Sequence, residues 1–89
     1  MNYEGTNIPV TIEITNDVLT GASLVGMHIR KPDRSLVVDT NVQIVNDNTV
    51  LYYPTAPFVK GVYKFQVHYT KNGIDYKSDI VSRRFYPKV

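Results

Sequence analysis

The chain has 89 residues, 43% apolar and 20% charged, with a formal net charge of +2, two histidines, and neither cysteine nor tryptophan. That length makes residues 1–89 a single domain with one modest core; the apolar content argues against disorder, and no run of about 18 apolar residues is present to cross a bilayer as a helix. Without thiols, a disulfide framework and a thiolate zinc site are both excluded.

Ile8, Val10, Ile12 and Ile14 alternate with Pro9, Thr11, Glu13 and Thr15, the period-2 mark of a half-buried strand. Pro9 cannot donate to a ladder, which places the start of this strand at a sheet edge. Asn16-Asp17 begins a turn, and Thr20-Gly21-Ala22 leads into a second run. There Val25, Met27 and Ile29 face one way, and Leu24, Gly26, His28 and Arg30 the other. Pro32 presets a turn and Asp33 can bond back to the backbone, so Lys31 to Ser35 closes a hairpin from which Leu36-Val37-Val38 returns. Val42–Val45 and Thr49–Tyr53 are two short strands split by the turn former Asn46-Asp47-Asn48. Pro54 and Pro57 then bracket a loop.

Val62 to Thr70 carries the clearest pattern, with Tyr63, Phe65, Val67 and Tyr69 on one face. Asn72-Gly73 is the strongest short signal for a hairpin turn. Ile74 to Tyr86 is extended but too long for one flat strand, so a bulge or break is expected near Ser78-Asp79. No apolar spacing of helical period occurs. About seven short strands point to an all-β antiparallel sandwich without a disulfide. Its expected core is Ile12, Ile14, Val25, Met27, Ile29, Tyr63, Phe65 and Val67.

Residues that could carry chemistry are sparse. His28 and His68 would form a two-imidazole site if their strands were adjacent, but no third ligand is evident, and surface strand histidines are the simpler reading. The serines near His28 lie in turns without a nucleophile elbow. Asn46-Asp47-Asn48 lacks the glycine and distal carboxylate of a calcium loop, and the five glycines are too widely spaced for a phosphate loop. No catalytic residue, cofactor or metal is therefore assigned, and the chain is not expected to be an enzyme. Its basic and acidic residues are interspersed rather than gathered into a nucleic-acid stripe, with Arg83-Arg84 and Lys88 the one basic knot.

The segment "FVKGVYKFQVHYTKNG" resembles the F strand and F–G turn of immunoglobulin-like domains. Gly61-Val62-Tyr63 is similar to the entry of a tyrosine-corner strand, and Phe65 stands where such domains place their second cysteine. "LTGASLVGMHIRKPDRSLVVD" and "GVYKFQVHYTKNGIDYKSDIVSRRFYPKV" resemble the KPDG-type hairpin and the closing hairpin of small immunoglobulin-like domains in tailed-phage virion proteins, among them baseplate upper proteins and capsid decoration proteins. The resemblance runs over Leu19–Val38 and Phe58–Val89, with Arg34 where glycine is common.

The resemblance implies a virion structural component, most simply an auxiliary protein bound in many copies to a phage capsid. Its partners would be other virion proteins, the major capsid protein first and a baseplate or tail protein second, with self-association open and neither specific nucleic acid nor a membrane involved. Met1 to Asn7 lacks the basic start and apolar stretch of a secretory signal, which fits assembly in a host cytoplasm into the virion. The alternative is a baseplate or tail-fibre part, or a carbohydrate- or cell-surface-binding module of a longer adhesive protein. Tyrosine and arginine dominate binding hot spots, so the expected interface draws on Tyr52, Tyr53, Tyr76, Arg83, Arg84 and Tyr86. Since Tyr52 and Tyr53 are adjacent on a strand, one of them must point outward.

Overall fold

The computed structural model describes residues 2–15 and 17–88, and for residues 24 and 25 the backbone alone. Among the described residues eight strands follow one another: β1 (Val10–Glu13), β2 (Ser23–Arg30), β3 (Leu36–Asp39), β4 (Val42–Asn46), β5 (Thr49–Tyr52), β6 (Gly61–Lys71), β7 (Ile74–Lys77) and β8 (Val81–Phe85). They form two antiparallel sheets, one ordered β1-β5-β4 and the other β3-β2-β6-β7, with β8 also on β6. Outside these strands a parallel bridge joins Tyr3 and Tyr86.

The eighth strand comes from the expected break. β7 pairs with the far half of β6, from His68 to Lys71, and β8 with the near half, from Gly61 to Phe65. Between them the buried Ser78 stands in for the missing ladder. Its Oγ accepts the Val67 N–H at 2.8 Å, its N–H donates to the Val67 carbonyl at 2.9 Å, and its carbonyl accepts Gln66 Nε2 at 2.9 Å. A 13-residue extended segment thereby follows a twisted sheet without orphaning the backbone of β6.

Both signalled hairpins close. Asn72 and Gly73 take positive φ values of 54° and 77°, the conformation a two-residue turn between right-twisted strands requires. At the other turn Arg34 adopts φ 73° itself, where glycine would do so freely. Asp33 Oδ1 holds that turn by accepting the Ser35 N–H and hydroxyl.

The core lies between the sheets. Ile12, Ile14, Met27, Ile29, Tyr63, Phe65 and Val67 are all buried, joined by Val50, Phe58, Tyr69 and Phe85. Val25 is the exception in the expected set. The β2–β6 register slips between Leu24 and Gly26, putting Leu24 opposite the core residue Tyr69; Val25 sits at that slip, and its side chain lies outside the described residues. Aromatic packing occupies the place of a disulfide pin. Phe58 stacks on Phe85 at 4.1 Å and meets Tyr63 edge-on at 5.0 Å, while Phe65 reaches across to Tyr52 of the other sheet at 6.1 Å.

Tyr63 is a tyrosine corner in geometry as well as in sequence. Its hydroxyl accepts the Val59 N–H at 2.9 Å, pinning the loop that enters β6. Gly61 explains the adjacent invitation for glycine: its φ is 123°, and a Cβ there would lie 2.7 Å from Cβ of Pro32. The β2–β3 turn and the entry to β6 are thus packed directly on each other.

Candidate interaction surfaces

The residues expected at an interface separate into different environments. Tyr52 turns inward, 4% exposed, and donates its hydroxyl to Asp39 Oδ2 at 2.9 Å. Burial, followed by that carboxylate, raises the phenol well above its ordinary value. Tyr53, next along, faces out. Tyr76 is half-buried, stacked on Tyr69 at 5.4 Å, with the Lys71 ammonium 5.8 Å from its ring centre.

Arg83 and Arg84 leave β8 on opposite sides. Arg83 lies opposite Tyr63 on the inward side and reaches the Thr11 carbonyl of the other sheet at 3.4 Å, while Arg84 is exposed on the outer face. Tyr86 is exposed, but its backbone is engaged: its N–H donates to the Asn2 carbonyl and its carbonyl accepts the Glu4 N–H, both at 2.8 Å. Residues 2–4 therefore lie along the edge where the C-terminal tail would otherwise be open.

The outer face of the larger sheet brings other groups together. The ladder puts Arg30 opposite Lys64, and His68 opposite Lys77. Within this cationic lining the rings of His28 and His68 stack in parallel, centroids 3.4 Å apart and planes within 6°. His68 Nε2 also lies 3.3 Å from Gln66 Oε1. Desolvation first, then the neighbouring His28 and Lys77, lowers the His68 pKa below its ordinary 6.5. Parallel faces do not converge their nitrogens on one ion, and among the described residues no cluster of three or more potential ligands forms.

The second surface is β3. Leu36, Val37 and Val38 are exposed at 49%, 39% and 54% in one unbroken row at the end of the sheet. Leu36 and Val38 sit on the outer face, aligned with Arg30 and His28 of β2. Val37, on the inner side, lines a groove of about 240 Å³ with Ile29, Tyr52, Phe58 and Tyr63. Three consecutive apolar residues look from the sequence like a strand buried on both faces. Nothing within Leu36-Val37-Val38 separates that case from an exposed edge; the place of β3 at the end of the sheet decides it.

At the far end Asp17 ties the loop before β2 to the β6–β7 hairpin. Its carboxylate accepts the Lys71 ammonium at 2.6 Å and the Tyr69 hydroxyl at 2.7 Å. These bonds, Lys71 first, hold its pKa down to about 2, and burial with the same carboxylate pushes the Tyr69 phenol up to about 12. Comparison with protein-family models, curated proteins and solved structures finds no match to this chain.

Proposed function

We propose that this chain is a non-enzymatic structural component of a phage virion, docked in many copies on the capsid. The observation that carries the reading is the tyrosine corner, with Tyr63 bonded to Val59 and Gly61 packed on the Pro32 turn. It joins the two segments that resemble phage immunoglobulin-like domains, Leu19–Val38 and Phe58–Val89, which lie side by side in one sheet as β2–β3 and β6–β8. The surfaces fit a docking module, with Tyr53, Tyr86 and Arg84 exposed.

The test is quantitative mass spectrometry of virions purified from the virus that encodes the chain. A copy number locked to that of the major capsid protein supports the reading. Absence from the particle, or a copy number that follows the tail instead, overturns it.

A further inference from the structure

A sheet edge is a row of N–H and C=O groups ready to pair with another chain, and folded proteins blunt such edges. Among the described residues, three of the four sheet edges are blunted. Pro9 precedes β1, and Arg83 reaches the Thr11 carbonyl on it. β4 carries a bulge between Ile44 and Asn46. The β7–β8 edge is broken at Ser78 and covered at its end by residues 2–4. β3 has no proline, bulge or covering segment: its four-residue register on β2 is continuous, and its one charge, Asp39, stands at the strand's end with its carboxylate on the Tyr52 hydroxyl.

The phase of the ladder tells which of its groups face outward. The Lys31 N–H donates to the Ser35 carbonyl at 2.9 Å, so 31 and 35 are a hydrogen-bonded pair. Bonded and non-bonded pairs alternate in an antiparallel ladder, which makes Arg30–Leu36 and His28–Val38 the non-bonded ones. The N–H and C=O of Leu36 and Val38 therefore point away from β2. Among the described residues, no turn or loop bond uses them.

We infer that β3 pairs with β3 of a second copy, antiparallel, about a two-fold axis through Val37. Only that register puts Leu36 opposite Val38 of the other copy, so that the outward groups of both residues bond each other on either side of the axis. It also keeps outer faces together. Leu36 and Val38 of both copies form one apolar ladder, and Val37 meets its twin beneath it. A slip of one residue would set outward-facing positions against inward-facing ones and leave the free groups unmatched. The charges agree with the direction. Arg30, Lys31 and Arg34 lie at one end of the strand and Asp39 at the other, so antiparallel pairing brings the basic end of each copy to the acidic end of its mate. The pairing is independent of what the copies dock on. The contact is shorter than a standard interface, so the dimer is expected to be weak and concentration-dependent.

Sedimentation velocity and an amide NMR concentration series on the purified chain test the inference. The dimer fraction should rise through the sub-millimolar range, with the Leu36 and Val38 amides shifting most and Val37, bonded to β2, less. Val38→Lys, at an exposed site, should weaken association by about tenfold or more while leaving the circular dichroism spectrum unchanged. If that variant loses its fold, Leu36→Lys reads the same edge. A chain that stays monomeric to about 1 mM, shifts that map to another edge, or folded lysine variants that associate like the wild type would overturn it.

Discussion

His28 and His68 stack face to face across β2 and β6 although neither is opposite the other in the ladder: His28 is level with Gln66, and His68 with Gly26. They form a diagonal pair, at a separation long rings can bridge. With no side chain on Gly26 to stand beside it, the His68 ring lies toward His28. Desolvation in this stack, then His28 and the Lys77 opposite, disfavour a proton on His68.

The first prediction follows from that arrangement. His68 holds its proton more weakly in the folded chain than in the unfolded one, where its value is 6.5. The unfolded state thus binds more protons below pH 6.5, and stability is whole above that pH and declines as pH falls through the lowered folded value. Urea midpoints at pH 7.5 and 5.5 should fall more for wild type than for His68→Gln. Equal falls would remove the histidine pair from the account.

The Asp17 carboxylate titrates in a separate window. Its pKa is depressed from 3.8 to about 2 by Lys71 and Tyr69, so its contribution is present above pH 3.8 and lost as pH drops toward 2. Asp17→Asn should flatten this acid limb and leave the histidine limb below pH 6.5 in place. Acid titrations followed by tryptophan-free near-ultraviolet circular dichroism of the tyrosines would separate the two.

Ser78 and Phe65 make opposite tests of the interior. Ser78→Ala deprives the buried Val67 N–H of its acceptor and should cost about 1–3 kcal/mol. Phe65→Ala opens a void at the centre of the core, at about 3–5 kcal/mol. Denaturant melts that show less than about 1 kcal/mol for Phe65→Ala would exclude it from the core.

How much of this was legible beforehand depended on whether a feature is local. The alternation of Val10, Ile12 and Ile14, that of Val62 to Thr70, the Asn72-Gly73 turn and the break at Ser78 are each written within a few residues and formed as expected, whereas Ile8, expected on the same face as Val10, is exposed and precedes β1. The slip at Val25 is not written locally, because a bulge depends on how β2 must twist to stay on β6. The histidine stack needs the pairing of strands some forty residues apart and its register. Tyr52 and Tyr53 differ only in parity, which is decided by the side on which the other sheet packs. The exposure of Leu36-Val37-Val38 likewise reflects where the sheet ends, and no pattern within those three residues encodes that.

The last prediction concerns the contact between the two hairpins. Gly61 holds φ 123° against Pro32, so a methyl group there is penalised twice, by backbone conformation and by a 2.7 Å approach to Pro32 Cβ. Gly61→Ala should cost about 2 kcal/mol or more. Arg34 is the converse case. It already occupies the left-handed region at φ 73°, which disfavours a side chain by about 1–2 kcal/mol, and its own hydrogen bond to Arg30 Nη1 uses the backbone carbonyl. Arg34→Gly relieves that strain and keeps the bond, while adding about 0.5–1 kcal/mol of unfolded-state entropy. The expected net is a gain of about 0.5 kcal/mol. Paired urea melts check both: Gly61→Ala at wild-type stability would show that the Pro32 contact does not set the geometry of the β6 entry, and Arg34→Gly clearly below wild type would show that Arg34 carries no backbone strain.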